Sequence, residues 1–278
     1  MKKKILTVLV TAALAAATLA SCGKQNDTIT VVSREDGSGT RGAFTELMGI
    51  DKDGTDMTYA KAEISNSTSV VISTVAGNKN AIGYISLGSL GDSVKAVKVD
   101  GVDATVDNVK NGSYKIARPF IIATKDEISD LAADFIKFIL SDDGQAIVSE
   151  KYITIGGNGA YTASGLSGKV TLAGSTSFSP LMDELAAAYK KLNPDVTVEI
   201  QQSGSGAGIQ SAIEGVCDIG MSSRELKQEE LDAGLTEMKI ADDGIAVIVN
   251  LENPIENITS DEVMKIYTGE INNWSELG

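Results

Sequence analysis

The chain has 278 residues, of which 42% are hydrophobic and 22% are charged, and these values exclude a disordered chain, a collagen-like chain and a small disulfide scaffold. Its 24 Lys and Arg stand against 38 Asp and Glu, and the net charge of −14 argues against partners such as nucleic acid or an anionic membrane surface. The sequence contains no histidine, so it lacks the usual general base and the commonest zinc ligand. This argues against conventional hydrolases.

The N-terminus has the pattern of an export signal. Three lysines at positions 2–4 precede an apolar, Ala-rich stretch over residues 5–19, and small residues lead from there to Cys22. The sequence Leu-Ala-Ser-Cys that ends at Cys22 resembles a bacterial lipobox. This resemblance implies a signal peptide over residues 1–21, lipid attachment to the Cys22 thiol and a location on the extracytoplasmic face of the cell membrane. An ordinary secretory signal is the alternative.

The rest of the chain alternates short apolar runs with amphipathic segments of helical period, which predicts an α/β fold. Strands are predicted from apolar runs over residues 28–32, 81–85, 119–123, 169–173, 196–200 and 245–249. Apolar residues that recur every three or four positions predict helices over residues 128–139 and 181–192. Residues 156–165 have the Gly-rich composition of a linker.

Three segments share one local pattern, in which a predicted strand passes through Ser, Thr and Gly into a predicted helix. They are residues 36–42, 174–180 and 203–208. Glycine permits close approach of the backbone, hydroxyl groups add hydrogen-bond donors, and a helix N-terminus has unpaired N–H groups. Ordinary N-caps and turns use the same residues. Three such segments, with Arg34 just before the first of them, favour a site for a tetrahedral oxyanion.

Other motifs of the chain point to no cofactor and no metal. No segment matches a nucleotide phosphate loop or a dinucleotide fingerprint. Residues 51–56 resemble a calcium loop, but its glycine stands at the fourth position and Ala62 at the twelfth. Asp142-Asp143 and Asp242-Asp243 precede glycines and are interpreted as turn or capping residues. Cys217 is interpreted as a small buried hydrophobic residue.

Taken together, several segments resemble the phosphate-binding proteins of bacterial ABC transporters. They are residues 33–41, 80–85, 170–177, 203–206 and 218–224. The resemblance implies a two-lobed type II periplasmic-binding-protein fold with a ligand cleft between the lobes. It also implies that the protein binds inorganic phosphate, performs no catalysis and delivers the ligand to an ABC permease. Alternatives are a receptor for sulfate or molybdate, an enzyme acting on phosphate esters, and a surface sensing module.

The order of the segments departs from that family, in which the part like residues 168–278 comes first. The chain therefore resembles a circular permutant in which residues 156–168 join the usual termini. The family's lobes then correspond to residues 98–250 and to residues 22–97 plus 251–278. A fragment of a tandem array and a pair of half-proteins swapped between chains are the alternatives, and we expect a monomer.

The resemblance also assigns residues to the site. It implies phosphate contacts from Ser175, Thr176, Ser177, Ser205, Gly206, Arg34, Ser38, Gly39 and Thr40. Asp36 matches an acidic residue that holds the arginine in place. Ser223 stands where well-known members have an aspartate that accepts the proton of the ligand. Because a serine does not repel a fully ionised sulfate as a carboxylate would, we expect weaker discrimination between phosphate and sulfate.

Overall fold

The structure is a computed structural model that describes residues 27–277, so the predicted signal peptide and Cys22 lie outside the described residues. Its helices are α1 (Gly39–Leu47), α2 (Thr68–Gly77), α3 (Val106–Lys110), α4 (Asp130–Ile139), α5 (Asp142–Val148), α6 (Ser179–Leu192), α7 (Ser205–Glu214), α8 (Gln228–Asp232) and α9 (Ser260–Thr268). Its strands are β1 (Thr30–Arg34), β2 (Asp51–Lys52), β3 (Thr55–Asp56), β4 (Glu63–Ser65), β5 (Ala81–Ser86), β6 (Lys95–Ala96), β7 (Lys98–Val99), β8 (Ala117–Lys125), β9 (Ile153–Thr154), β10 (Gly168–Gly174), β11 (Val196–Gln202), β12 (Ile219–Ser222), β13 (Leu235–Val249) and β14 (Asn257–Ile258). The predicted α/β class, the six predicted strands and both predicted helices are confirmed.

The main sheet has the strand order β11-β10-β12-β8-β13-β5-β1-β4. Strand β13 lies in the middle of this order and connects the two ends of the sheet. Its first part pairs antiparallel with β8, and its last five residues pair antiparallel with β5. One continuous strand therefore runs through both parts of the molecule.

Two groups of apolar side chains form the cores of two lobes. The core of the first lobe includes Phe120, Phe135 and Tyr189, and all of its buried members lie between residues 120 and 241. The core of the second lobe combines early residues such as Phe44 with late ones such as Tyr267. Two-lobed packing agrees with the resemblance stated above.

The packing divides the chain between the lobes at other positions than the predicted 97/98 and 250/251. Residues 98–116 belong with the second lobe, because Val99, Tyr114 and Ile116 are buried in its core. The last residues of β13, 245–249, also lie in the second lobe. The core of the first lobe therefore lies between residues 116 and 245.

Two of the acidic motifs have structures that differ from their interpretation as turns or caps. Asp242 and Asp243 lie inside β13, and Asp243 is completely buried. Asp142 and Asp143 occupy the first turn of α5, where a carboxylate stabilises the helix dipole, but the cap itself is Ser141. Residues 51–56 form the hairpin of β2 and β3.

The Gly-rich segment predicted as a linker lies against the first lobe. Tyr161 donates a hydrogen bond of 2.6 Å from its hydroxyl to Asp134, and its ring packs edge-on against Phe138 at 5.2 Å. Ser164 donates to the same carboxylate at 2.8 Å.

Cys217 is a free, buried thiol, as predicted. None of the helices between residues 27 and 277 has the length and apolar character that a membrane crossing needs.

Candidate functional site

The three Ser- and Gly-rich segments meet where the two lobes face each other. Strands β10, β11 and β12 are parallel neighbours in the first lobe, and β1 pairs parallel with β4 and β5 in the second. Parallel strands present their carboxyl ends, and the helices that follow them, at one edge of a sheet. The starts of α6 and α7 therefore face the start of α1 across the cleft.

Two glycines permit the close packing that brings the first-lobe segments together. Gly174, at the end of β10, has a φ of +145°, and a β-carbon there would overlap the carbonyl oxygen of Met221. A β-carbon at Gly208 would overlap the Gly174 backbone. Because both positions lack a side chain, α7 starts directly beside the end of β10, and this places Ser205 next to residues 175–177.

Contacts between the lobes occur at the predicted site residues. The hydroxyl oxygens of Thr40 and Ser177 lie 2.6 Å apart, and the Gly206 N–H donates to the Gly37 carbonyl at 2.9 Å. A β-carbon at Gly39 would lie 2.5 Å from Ser205 Oγ and 2.7 Å from Ser223 Oγ. The structure therefore brings predicted residues of both lobes into one cluster.

Some of the predicted hydroxyl groups also have roles in local structure. Ser38 is the N-cap of α1 and accepts a hydrogen bond from the Arg41 N–H at 3.3 Å. Ser175 accepts from the Phe178 N–H at 3.3 Å. Ser205 accepts from the Ser223 N–H at 3.1 Å, and the two hydroxyl oxygens are 3.3 Å apart. Hydrogen bonds within the protein therefore hold these hydroxyl groups in place.

The site is shielded from solvent and rich in hydrogen-bond donors. Eight of the predicted site residues are at most 5% exposed: Arg34, Ser38, Thr40, Ser175, Thr176, Ser177, Ser205 and Ser223. Hydroxyl groups, helix N-termini and one guanidinium group all favour an anion. Within residues 27–277, no group of three or more Cys, Asp and Glu side chains is arranged to hold a metal ion.

Arg34 is held by Glu35 and not, as predicted, by Asp36. Both bonds of this pair are 2.7 Å long, from Arg34 Nε to one carboxylate oxygen and from Nη2 to the other. Asp36 lies in the turn after β1, where its side chain is fully exposed and 3.4 Å from Arg41. Because Asp36 lies in the turn, its carboxylate does not reach the Arg34 guanidinium group. The longer side chain of Glu35 forms a bidentate ion pair with it.

Sequence reasoning missed Thr68, the first residue of α2. Its hydroxyl oxygen lies 3.1 Å from Ser177 Oγ and 3.3 Å from Thr176 Oγ1, and it accepts a hydrogen bond of 3.4 Å from Arg34 Nη1. Residues 65–69, Ser-Asn-Ser-Thr-Ser, repeat the strand-to-helix pattern of hydroxyl residues without a glycine. That repeat was the signal available in the sequence.

A buried ion pair that no local pattern in the sequence predicted lies beside the site. Arg118 Nη2 donates to Asp243 Oδ2 at 3.2 Å, and Arg118 Nη1 donates to the carbonyl oxygen of Ser223 at 3.2 Å. Burial raises the pKa of Asp243 to about 6, against the opposing effect of the Arg118 charge. Burial also lowers the pKa of Arg118, and the charge of Asp243 opposes that change.

Comparisons with known proteins agree with this architecture. The family model described as the PBP superfamily domain matches residues 9–143 and 159–278. The phosphate-binding protein PstS 2 of Streptococcus agalactiae is 47% identical, with 99% of each chain covered, and that of Streptococcus pneumoniae is 47% identical, with 100% of each covered. The crystal structure of a phosphate-binding protein of a phosphate ABC transporter from Streptococcus pneumoniae has a TM-score of 0.71 at 50% identity, covering 90% of this chain and 100% of that one.

The chain belongs to the PBP superfamily, in the family of the phosphate-binding proteins PstS. The resemblance stated from the sequence is thereby confirmed, together with the two-lobed type II fold that it implied. The circular permutation stays a prediction, and so do the individual phosphate contacts.

Proposed function

We propose that this protein binds inorganic phosphate between its two lobes and delivers it to an ABC permease at the extracytoplasmic face of the membrane, to which a lipid on Cys22 anchors it. The relatives that match the whole chain are named phosphate-binding proteins. The observation that carries the proposal is the convergence of Arg34 and the starts of α1, α6 and α7 in one buried cluster of donors.

The energetic argument rests on preorganisation. A buried anion loses its hydration shell, and hydrogen bonds to the protein compensate for that loss only when the donors are already oriented. Here the hydroxyl groups of Ser38 and Ser205 are fixed by backbone N–H groups, and Glu35 fixes the guanidinium plane of Arg34. The ligand therefore meets donors that need little reorganisation.

The same geometry favours binding over ester chemistry. Hydrolysis needs a nucleophile beside a base. The hydroxyl groups of the cluster bond to one another, and the carboxylate nearest to Arg34, that of Glu35, is engaged by the guanidinium group. We infer that the ligand leaves the site chemically unchanged.

A second candidate ligand is sulfate, and Ser223 favours considering it. Its side chain is completely buried and its hydroxyl lies 3.3 Å from that of Ser205. A hydroxyl group can donate as well as accept, so this position does not require a proton on the ligand. Phosphate remains the better candidate, because the matching relatives are named for it.

Titration calorimetry of the detergent-solubilised full chain with phosphate, sulfate, arsenate and molybdate tests the proposal. We expect one phosphate per chain, and Arg34→Ala should weaken binding by at least about 2 kcal/mol, as truncation of a buried charged contact commonly does. Lys169→Ala is the matched control, because it removes one positive charge from an exposed side chain. Absence of phosphate binding would refute the proposal, and equal affinities of the two variants would remove Arg34 from the site.

A further inference from the structure

Thr68 belongs to the second lobe but contacts residues of the first. Its side chain is 5% exposed, and its hydroxyl oxygen lies within 3.4 Å of three groups: Ser177 Oγ, Thr176 Oγ1 and Arg34 Nη1. Its backbone N–H donates to Thr176 Oγ1 at 3.3 Å. Arg34, Thr176 and Ser177, which the sequence resemblance assigned to the ligand, thus surround Thr68. The resemblance did not assign Thr68 to the ligand.

The hydrogen bonds around Thr68 define the direction of its proton. Arg34 uses Nε and Nη2 to hold Glu35, so that Nη1 is the group turned toward Thr68. Because Thr68 Oγ1 accepts from Arg34, its own proton points away from the guanidinium group, toward the first-lobe hydroxyls. A hydroxyl group that accepts from a cation is also a stronger donor. An anion bound by Arg34 and Ser177 lies within reach of this donor.

The Thr68 hydroxyl is not needed to cap helix α2, because its neighbour Ser67 is the cap. Ser67 is the N-cap of α2, and its hydroxyl accepts from the Val70 N–H at 3.3 Å. The helix start therefore does not need the Thr68 hydroxyl. Burial of a hydroxyl group away from solvent is unfavourable unless it has a partner, and the partners of Thr68 are all at the site.

We propose that Thr68 Oγ1 donates a hydrogen bond to the bound oxyanion, and that the start of α2 is a fourth ligand-binding segment. This inference rests on the proposed function, because it assigns Thr68 a contact with phosphate. The four hydroxyl groups of Thr40, Thr68, Thr176 and Ser177 then act together. In the structure they bond to one another at 2.6 to 3.3 Å, and each can turn its proton to an oxygen of the ligand.

The test compares three variants of the full chain in phosphate titrations. Thr68→Val keeps the shape of the side chain and removes the donor, Thr68→Ser keeps the donor, and Ser69→Ala removes an exposed hydroxyl from the same helix start. We expect Thr68→Val to weaken phosphate binding about tenfold or more, and the other two to stay within about threefold of the unmodified protein. If Thr68→Val does not fold, Thr68→Ala replaces it with the same expectation.

The outcomes separate this inference from the proposed function. If the unmodified protein binds no phosphate, both are refuted. If it binds phosphate and Thr68→Val binds equally well, only the assignment of Thr68 is overturned. Small-angle X-ray scattering at saturating phosphate completes the test, because loss of one ligand contact should leave the overall dimensions of the saturated protein unchanged. A saturated Thr68→Val protein with a larger radius of gyration than the saturated unmodified protein would assign Thr68 to holding the lobes together and overturn the ligand contact.

Discussion

Arg118 and Asp243 are direct partners across the β8–β13 ladder, and their side chains form an ion pair in which both are at most 1% exposed. The pair lies where β13 passes from the first lobe to the second. Arg118 also donates to the Ser223 carbonyl and lies 5.4 Å from the centre of the Phe120 ring. A charge pair without solvent thus connects the crossing strand with the candidate site.

Removal of the cation should be far more damaging than removal of both charges. Arg118→Met leaves the Asp243 carboxylate buried without a counter-charge, and we expect a loss of about 3 to 5 kcal/mol in the free energy of unfolding at pH 8. The double variant Arg118→Met/Asp243→Leu replaces both by apolar side chains and should recover most of that loss. Urea unfolding of both variants measures this, and a double variant as unstable as the single one would contradict it.

Asp243 should also make stability depend on pH. Its pKa is raised from 3.8 to about 6, mainly by burial, so the folded state binds the proton more tightly than the unfolded state. The resulting stability is fully present below about pH 4 and is lost as the pH rises through 6. In phosphate-free buffer, we expect the unmodified protein to lose about 2.5 kcal/mol between pH 4 and 7 relative to Asp243→Asn, which has no carboxyl group to titrate at this position. Parallel urea-unfolding curves would show that Asp243 is not protonated in this range.

Two glycines of α1 offer a matched pair of substitutions. Gly39→Ala places a methyl group 2.5 Å from Ser205 Oγ and 2.7 Å from Ser223 Oγ, and it should weaken phosphate binding about tenfold or more by moving those hydroxyl groups. A methyl group at Gly42 meets nothing closer than 3.8 Å. Gly42→Ala should therefore leave the affinity unchanged and add about 0.5 to 1 kcal/mol of stability. Calorimetry and thermal unfolding report the two effects, and equal phosphate affinities would place Gly39 outside the site.

The proposed contact between Ser223 and the ligand would decide how the site treats the proton of the ligand. With a hydroxyl group there, phosphate affinity should vary only weakly between about pH 6 and 8. Ser223→Asp should bind phosphate less well as the pH rises, because a deprotonated ligand and a carboxylate repel each other, and it should bind sulfate more weakly throughout. Ser223→Asn is the control, because asparagine has nearly the shape of aspartate but no charge. Identical pH profiles for all three proteins would mean that Ser223 does not touch the ligand.

The predicted permutation gives a further test, because residues from opposite parts of the chain lie side by side. The Ile29 N–H donates to the Asn272 carbonyl at 2.8 Å, and the Trp274 N–H donates to the Asp27 carbonyl at 3.0 Å. A variant opened at the exposed Gly165, with residues 277 and 27 joined by a short flexible linker, should fold as a monomer and bind phosphate. Light scattering and calorimetry measure this. A variant opened at Gly244, inside β13, should fail to fold, and failure of both would contradict the predicted segment order.

Local patterns predicted six strands and missed others, among them β12 and the polar first part of β13. Residues 245–249 are an unbroken apolar run, whereas residues 235–244 contain Glu237, Lys239 and Asp243 and gave no strand signal. A buried carboxylate such as that of Asp243 is stable only with a partner, and its partner Arg118 is distant in sequence. Long-range pairing of this kind cannot be read from local patterns.

Local patterns predicted most of the candidate site, because its segments have a recognisable local composition. In the segments containing Ser38, Ser177 and Ser205, glycine stands beside hydroxyl residues, and this pattern predicted them. The structure brings these segments together. Thr68 follows no glycine, and its position depends on packing between the lobes. The choice between Glu35 and Asp36 depends on the turn after β1, which the residue types alone do not fix.

The core of the second lobe needs both the beginning and the end of the described chain. Phe44 stacks on Tyr84 with ring centres 3.9 Å apart, and the ring of Tyr267 packs against both. Tyr267 comes long after the other two in the chain, whereas every buried residue of the first-lobe core lies at or before residue 241. Before Tyr267 is in place, the rings of Phe44 and Tyr84 lack part of their cover. Residues made among the earliest are thus among the last to be fully buried.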